Sequence, residues 1–111
     1  MKVLNFADVT ALPVSHNEKI QKQVVLGYHE IGNISTLARS VFPPGEIVGE
    51  HNHTDLDEVF IVQSGEGQIE IAGQSFKLEP GTCAVVEAGE MHCLKNTGKI
   101  ELVLQYFGIT H

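Results

Sequence analysis

Apolar and polar residues alternate along most of the chain in short runs that are separated by turn residues. Residues 68–71 and 75–78 alternate strictly, which is typical of strands with one buried face and one solvated face. Residues 59–62 and 100–107 are almost continuously apolar and predict strands that are covered on both faces. From residue 35 onward, turns that contain glycine or proline recur about every 8–12 residues. The pattern predicts an all-β sandwich or barrel with little or no helix.

The first third of the chain has a less decisive pattern. Residues 15–18, Ser-His-Asn-Glu, have the spacing of a helix capping box, and Gly27 would suit the end of a short helix. Residues 20–28 are short and rich in β-branched side chains, so we predict a strand there, with a helix as the alternative. No linker or internal repeat divides the chain, and we expect one domain over residues 1–111, with strands or an arm at 1–34.

Charge and composition narrow the range of partners. The 111 residues include 14 acidic and 7 basic side chains, which gives a formal net charge of −7. A surface this acidic repels phosphate groups, so we expect neither nucleic acid nor an anionic membrane as a partner. No run approaches the roughly 18 apolar residues of a membrane helix and no signal-peptide pattern is present, so we expect a cytoplasmic location. Cys83 and Cys93 are too few for a disulfide scaffold, and we expect both to be buried or half-buried.

The stretch GEHNHTDLDEVF, residues 49–60, is the strongest chemical feature of the sequence. His51 and His53 are two residues apart, so on a strand they share a face about 6.5–7 Å apart and can reach one metal ion. Glu58 has an odd offset from them, but the turn-forming Thr-Asp-Leu-Asp in between allows it to return to the same face. A solvated polar loop on an acidic surface is the alternative that these residues alone leave open.

Two longer patterns surround these residues. Residues 45–65 read G-x5-H-x-H-x4-E-x6-G, and residues 81–96 read G-x5-E-x-G-x2-H-x3-N. These patterns resemble the two signature motifs of the cupin superfamily, and the resemblance covers about residues 35–107. It implies a double-stranded β-helix, the jelly-roll barrel of that family. One departure is Glu87, which stands where the second motif usually has proline, and it leaves the shape of that turn open.

The resemblance implies a metal centre inside the barrel. One divalent transition metal ion would be bound by His51, His53, Glu58 and His92. Nitrogen and oxygen donors suit Fe, Mn, Ni, Co, Cu or Zn and require no thiolate. Three neutral imidazoles and one carboxylate leave about +1 of charge, and one or two positions of a six-coordinate ion stay open. The expected ligand is therefore a small molecule that is anionic or a bidentate oxygen donor.

Four further residues are candidates for the substrate pocket. By strand alternation, Phe60 and Val62 share the face of the metal-binding glutamate, and Leu94 shares that of the last histidine. They could form an apolar wall around the open positions, and packing in the core alone also explains them. Arg39 is the chain's only arginine and could hold a substrate carboxylate in a bidentate pair, with a surface salt bridge as the alternative.

Three functions remain open at this point. The first is a metal-dependent enzyme, such as a dioxygenase, isomerase, epimerase or decarboxylase, acting on a small oxygen-rich molecule, with Glu58 as a candidate proton acceptor. The second is a non-catalytic binder or sensor of a small molecule, and the third is a barrel whose metal is structural. The resemblance also implies a homodimer, with residues 2–6 as a strand that two copies exchange.

Overall fold

Ten strands make up nearly all the regular structure of the chain. The computed structural model describes residues 1–111. The strands are β1 (Leu12–Val14), β2 (Asn17–Leu26), β3 (Ile34–Phe42), β4 (Ile47–His51), β5 (Leu56–Ser64), β6 (Gly67–Ile71), β7 (Gln74–Leu78), β8 (Cys83–Val86), β9 (His92–Asn96) and β10 (Leu102–Thr110). The one helical element is a 3-10 turn at Phe6–Asp8, so the all-β prediction is confirmed. The chain forms no helix with the length and apolar character that a membrane crossing requires.

The strands form two antiparallel sheets that enclose one core. The larger sheet has six strands in the order β1-β2-β3-β10-β5-β8, and the smaller has four in the order β4-β9-β6-β7. The chain passes repeatedly from one sheet to the other. As a result β10 pairs with both β3 and β5, although these two strands come much earlier in the sequence. This arrangement is the double-stranded β-helix that the two motifs predict.

Alternation along the strands fills the core from both sheets. In β10, Leu102 and Leu104 are 0% and 1% exposed, whereas Val103 between them is only half-buried and lies on the other face. Burying one such side chain contributes about 1.5–3 kcal/mol, so a one-residue slip of the strand register would be costly. The buried apolar cluster consists of Ile20, Phe42, Phe60, Val62, Ile69, Leu78, Val86, Leu94, Leu102 and Leu104.

The N-terminal third forms strands and no α-helix. β2 pairs with β3, so the strand predicted over residues 20–28 is confirmed and the capping-box helix does not form. In the single chain, residues 2–6 are irregular and lead into the 3-10 turn, and a strand that two copies exchange stays a prediction. The Asn5 side chain accepts a hydrogen bond of 2.8 Å from the Ala7 N–H, which favours a turn over an extended strand.

Asn96, the last residue of the second motif, ties three segments together. It is fully buried, and its Nδ2 donates to the carbonyls of Phe42 and Ile100, each at 2.9 Å. Its Oδ1 accepts from the Gly98 N–H at 2.8 Å. Three hydrogen bonds from one buried side chain fix the β9–β10 turn against the end of β3, and removing them would leave buried polar groups unpaired.

Candidate metal centre

Four side chains from the two motifs meet between the sheets. His51 ends β4, His53 follows in the next loop, Glu58 lies on β5 and His92 begins β9. One nitrogen or carboxylate oxygen from each residue lies within 4.8 Å of the corresponding atom of every other. Donors that bind one ion at about 2.0–2.2 Å lie roughly 3–4.4 Å from one another, so the cluster has nearly the dimensions of a single metal site.

Strand pairing and one sheet-to-sheet crossing place these residues. His51 and His92 are direct partners in the β4–β9 ladder, and their ring centroids are 4.2 Å apart. Residues 52–55 then carry the chain out of the four-stranded sheet and into β5 of the other sheet. Because the crossing resets the strand parity, Glu58 points back into the barrel in spite of its odd offset from the histidines.

Backbone carbonyls orient two of the histidine rings. Nδ1 of His51 hydrogen-bonds the carbonyl of Gly49 at 2.8 Å, and Nδ1 of His92 hydrogen-bonds the carbonyl of Glu90 at 3.0 Å. A carbonyl can only accept, so each Nδ1 carries the ring proton and each Nε2 presents a lone pair in the neutral ring. Outer hydrogen bonds of this kind fix the tautomer and the direction of metal-binding imidazoles.

Two buried atoms of the cluster have no hydrogen-bond partner, namely Oε1 of Glu58 and Nε2 of His92. They lie 3.3 Å apart, and Nε2 of His53 lies 3.3 Å from the same carboxylate oxygen. In the neutral form of His92, whose one ring proton is on Nδ1, the two buried atoms face each other as lone pairs without a hydrogen between them. Each buried polar atom left unpaired costs about 1–3 kcal/mol, and one bound cation would satisfy both. The donor set therefore fits a divalent transition metal ion.

Burial and nearby oxygens act in opposite directions on the histidines. Burial lowers the pKa of His51 below its ordinary value, although the Gly49 carbonyl opposes this. Burial also lowers the pKa of His92, but Glu58 and Glu90 together outweigh it and leave that pKa above its ordinary value. His51 is thus neutral and able to coordinate at neutral pH, whereas protons compete with a metal for His92 as the pH falls.

The cluster borders a cavity of about 180 Å³ between the two sheets. Phe60 and Leu94 form part of its apolar wall, and Lys22, Ser40 and Tyr106 contribute polar groups. Burial raises the pKa of Tyr106, so its phenol stays protonated at neutral pH and can donate a hydrogen bond. The volume is well below the roughly 300–1,000 Å³ of sites for drug-sized ligands, and it suits a small molecule.

Three of the predicted pocket residues lie inside the barrel, and two of them reach the cavity. Phe60 and Leu94 line it, beside the metal cluster. Val62 does not line it and packs in the apolar core, where it is 2% exposed. It lies one strand repeat beyond Phe60, on the same face of β5 and farther from Glu58, so it has the core-packing role that was the alternative to a pocket wall.

Arg39 lies on the outer face of the six-stranded sheet and does not reach the cavity. Its Nε and Nη2 donate to Oε1 of Gln23 at 2.9 and 2.8 Å, and its guanidinium lies 4.7 Å from the centroid of the Phe6 ring. Strand parity is the reason, because Ala38 and Ser40 on either side of it are buried on the inner face of β3. Neither the substrate-binding interpretation nor the salt-bridge alternative describes this environment.

The sequence patterns do not predict several polar residues of the cavity, among them His16, Lys22 and Ser40. Lys22 is two residues after the fully buried Ile20, and on a strand the two side chains lie on the same face. The strand predicted over residues 20–28 would therefore have placed Lys22 inside the barrel. His16 lies in the turn before β2, with its ring centroid 5.9 Å from that of His51, and no sequence signal distinguishes it.

The turn at Glu87 is closed by two hydrogen bonds, and proline could not make the one that the Glu87 N–H donates. The Glu87 N–H donates to Oε1 of Glu90 at 2.8 Å, and the Glu90 N–H donates back to the Glu87 carbonyl at 3.1 Å. The Gly89 N–H donates to the carbonyl of His53 at 2.7 Å, which joins the second motif to the first. The Glu87 side chain is exposed and does not line the cavity, and its N–H substitutes for the fixed φ of proline in shaping the turn.

Both cysteines lie outside the metal cluster. Cys93 is half-buried on β9, next to His92 and on the opposite face of the strand, as alternation predicts. Cys83 is exposed, so its expected burial is wrong. It begins β8, an edge strand of the six-stranded sheet, and it faces away from the core because its neighbour Ala84 packs inward against the core.

Comparison with known proteins agrees with this architecture. The family model described as "Cupin domain" matches residues 38–107. An oxalate-binding protein of Thermotoga maritima is 34% identical over 65 residues, which are 59% of this chain and 54% of that protein. An uncharacterized protein of Aquifex aeolicus is 28% identical over 100 residues, which are 90% of this chain and 80% of that protein. The first match thus spans only about half the length of the relative.

Solved structures show the same fold. The crystal structure of a predicted oxalate decarboxylase from Thermotoga maritima has a TM-score of 0.91 at 24% identity, covering 99% of this chain and 100% of that one. KdgF from Halomonas sp. has a TM-score of 0.79 at 21% identity, covering 95% and 92% of the two chains. At these identities the likeness shows the fold alone. The family match, in contrast, includes both motifs completely and more than half of the sequence. The chain therefore belongs to the cupin family.

Proposed function

We propose that the chain binds one divalent transition metal ion through His51, His53, Glu58 and His92, and that this centre binds a small carboxylate anion. The observation that carries the proposal is the pair of buried atoms without partners, Oε1 of Glu58 and Nε2 of His92, at 3.3 Å from each other. A cation satisfies two opposed lone pairs. An ion bound by this cluster would lie beside the cavity and would therefore be accessible to a ligand.

The charge of the centre favours an anionic ligand. Three neutral imidazoles and one carboxylate leave a divalent ion with about +1 of charge and with open coordination positions. The apolar wall of Phe60 and Leu94 lowers the local dielectric constant, which strengthens the attraction between the centre and an anion. The matched region of the Thermotoga maritima relative belongs to a protein named for binding oxalate, and this supports a carboxylate as the ligand.

We propose catalysis on the bound carboxylate as a second function. It is supported by the position of the cluster beside an open cavity, since a structural ion is usually closed off by its protein ligands. When bound, the metal would supply Lewis acidity at a ligand oxygen. The carbonyls of Gly49 and Glu90 hold two imidazoles in position, Phe60 excludes water, and the Tyr106 phenol can donate to a ligand oxygen.

Calorimetric titration of oxalate into the metal-loaded and the chelator-treated protein tests the first function. We expect saturable binding to the loaded protein and affinity at least about 100-fold lower after chelation, because the direct metal–oxygen contact is lost. Oxamide, the neutral diamide of the same shape, serves as the control and is expected not to bind. Equal oxalate affinity with and without metal would rule out a metal-dependent anion site.

The same samples separate a binder from an enzyme. Consumption of oxalate or another small carboxylate by the loaded protein would support catalysis, and saturable binding without consumption would support a binding or sensing role. A cytoplasmic location and a homodimer stay predictions from the sequence. Light scattering during size-exclusion chromatography measures the oligomeric state directly.

A further inference from the structure

Lys22 lies inside the barrel without an anionic partner. It is half-buried on the inner face of β2, and it is the only lysine or arginine that lines the cavity beside the metal cluster. The lysines that form ion pairs are Lys2, Lys19 and Lys77, all on the exterior. An anion bound in the cavity would supply the partner that this ammonium group lacks.

Two hydroxyl groups flank this lysine on the same sheet face. Lys22 is directly opposite Ser40 in the β2–β3 ladder. Tyr106 is opposite Ala38 in the β3–β10 ladder, and it is therefore a diagonal neighbour of Ser40. Direct partners lie about 4.5–5.5 Å apart and diagonal ones about 7–8 Å apart, so three adjacent strands present one ammonium and two hydroxyls as one patch. Lys22, Ser40 and Tyr106 are called the Lys22 patch below.

The Lys22 patch and the metal cluster line one cavity. The Lys22 patch and Glu58 belong to the six-stranded sheet, whereas His51 and His92 belong to the four-stranded sheet, so the cluster bridges the two sheets and the patch lies on one wall. A ligand bound at the metal would therefore share this cavity with the lysine. The cavity of about 180 Å³ is small enough that one short molecule can contact the cluster and the patch together.

The summed charge of the cavity matches a dianion. A divalent ion and the Glu58 carboxylate together contribute about +1, and the Lys22 ammonium raises the total to about +2. A monocarboxylate would leave about +1 of this charge uncompensated in a partly desolvated site, whereas a dicarboxylate would neutralise the full charge of about +2. The chain as a whole has a net charge of −7, so the attraction for a dianion has to come from this local arrangement.

We propose that the Lys22 patch binds the second carboxylate of a short dicarboxylate whose first carboxylate is bound at the metal centre. The inference rests on the proposed function and specifies its ligand class, dicarboxylates of about the length of oxalate or malonate. Lys22 supplies the charge, and the hydroxyls of Ser40 and Tyr106 supply hydrogen bonds that fix the orientation of the carboxylate. The patch would thus discriminate dicarboxylates from monocarboxylates that the metal alone could bind.

Calorimetry on metal-loaded Lys22→Met tests this assignment, with oxalate and malonate as dianions and glycolate as a chelating monocarboxylate. We expect the variant to lose about 10- to 100-fold in affinity for the dicarboxylates, because a charge-assisted contact is removed. Glycolate affinity is expected to change by less than about threefold. Tyr106→Phe should give a smaller loss, about 3- to 10-fold, restricted to the same dicarboxylates.

Lys95→Met is the matched control, because it removes the same charge from an exposed position on β9 and is expected to bind all three anions normally. Metal content is measured for every sample, and Lys22→Gln replaces Lys22→Met if the latter does not fold. Unchanged dicarboxylate affinity at full metal content, or an equal loss for glycolate, would overturn the Lys22 assignment and leave metal-dependent binding intact. Failure of the unaltered protein to bind any of the anions in a metal-dependent manner would overturn both proposals.

Discussion

Replacing His51 and His53 together with alanine is expected to lower the affinity for a divalent transition metal by more than about 100-fold. The double variant removes two of the four clustered donors, and losing even an outer-shell partner of a metal ligand costs about 10- to 100-fold. Competition with a chromophoric chelator measures the affinity. The variant is expected to fold, since both side chains are only partly buried and lie outside the apolar core cluster.

A matched double variant controls for the loss of two imidazoles. His29→Ala/His111→Ala removes histidines that lie outside the cluster and hydrogen-bond Thr110 and Asp57 instead. It is expected to retain the metal affinity of the unaltered protein. Full metal occupancy in the His51→Ala/His53→Ala protein would show that metal binds elsewhere, and it would remove the basis for an anion site between the sheets.

Replacing Gly65 with alanine is expected to destabilise the fold by about 2–5 kcal/mol. Gly65 has φ of +83°, where an L-residue is strained by about 1–2 kcal/mol. A Cβ at this position would also lie 2.8 Å from Cα of Leu102 and would overlap the carbonyl oxygen of Glu101. These are backbone atoms that cannot rotate away, and such overpacking adds about 1–3 kcal/mol. Urea denaturation of the metal-free protein measures the change in the free energy of unfolding.

Gly73→Ala separates the two contributions. Gly73 has nearly the same dihedral angle, φ of +82°, but no heavy atom lies within 4 Å of a Cβ built there. Its substitution should therefore cost only the backbone strain, about 1–2 kcal/mol. If both variants lose the same stability, the close approach of the β5–β6 turn to the start of β10 does not constrain the residue at position 65.

Strand alternation predicts most of the fold because burial selects for it. Residues 68–71 became β6 with Ile69 buried, and the long apolar run near the C-terminus became β10. Residues 75–78 became β7, but Phe76 there is 49% exposed, so the buried face that alternation predicted for this strand is incomplete. The choice between helix and strand in the first third depended on tertiary pairing. β2 is stabilised by its ladder with β3, and such a contact leaves no local signal in the sequence.

The meeting of His51, His53, Glu58 and His92 was predictable through the family resemblance, because these residues lie in two patterned motifs at fixed offsets. The environment of Arg39 was not predictable, because both faces of β3 carry apolar residues. The inner face presents Ala38, Ser40 and Phe42, whereas Leu37 and Val41 lie on the half-buried outer face. Periodicity therefore does not decide which face of β3 enters the core, and the orientation of the strand emerges only from its pairing with β10.

The metal content of the protein purified without an affinity tag tests the central claim most directly. Plasma mass spectrometry is expected to find about one divalent transition metal ion per chain, and His51→Ala/His53→Ala purified in parallel is expected to contain almost none. Absence of bound metal after incubation with excess Mn, Fe, Co, Ni, Cu and Zn would contradict the claim. Equal metal content in the two proteins would contradict it as well.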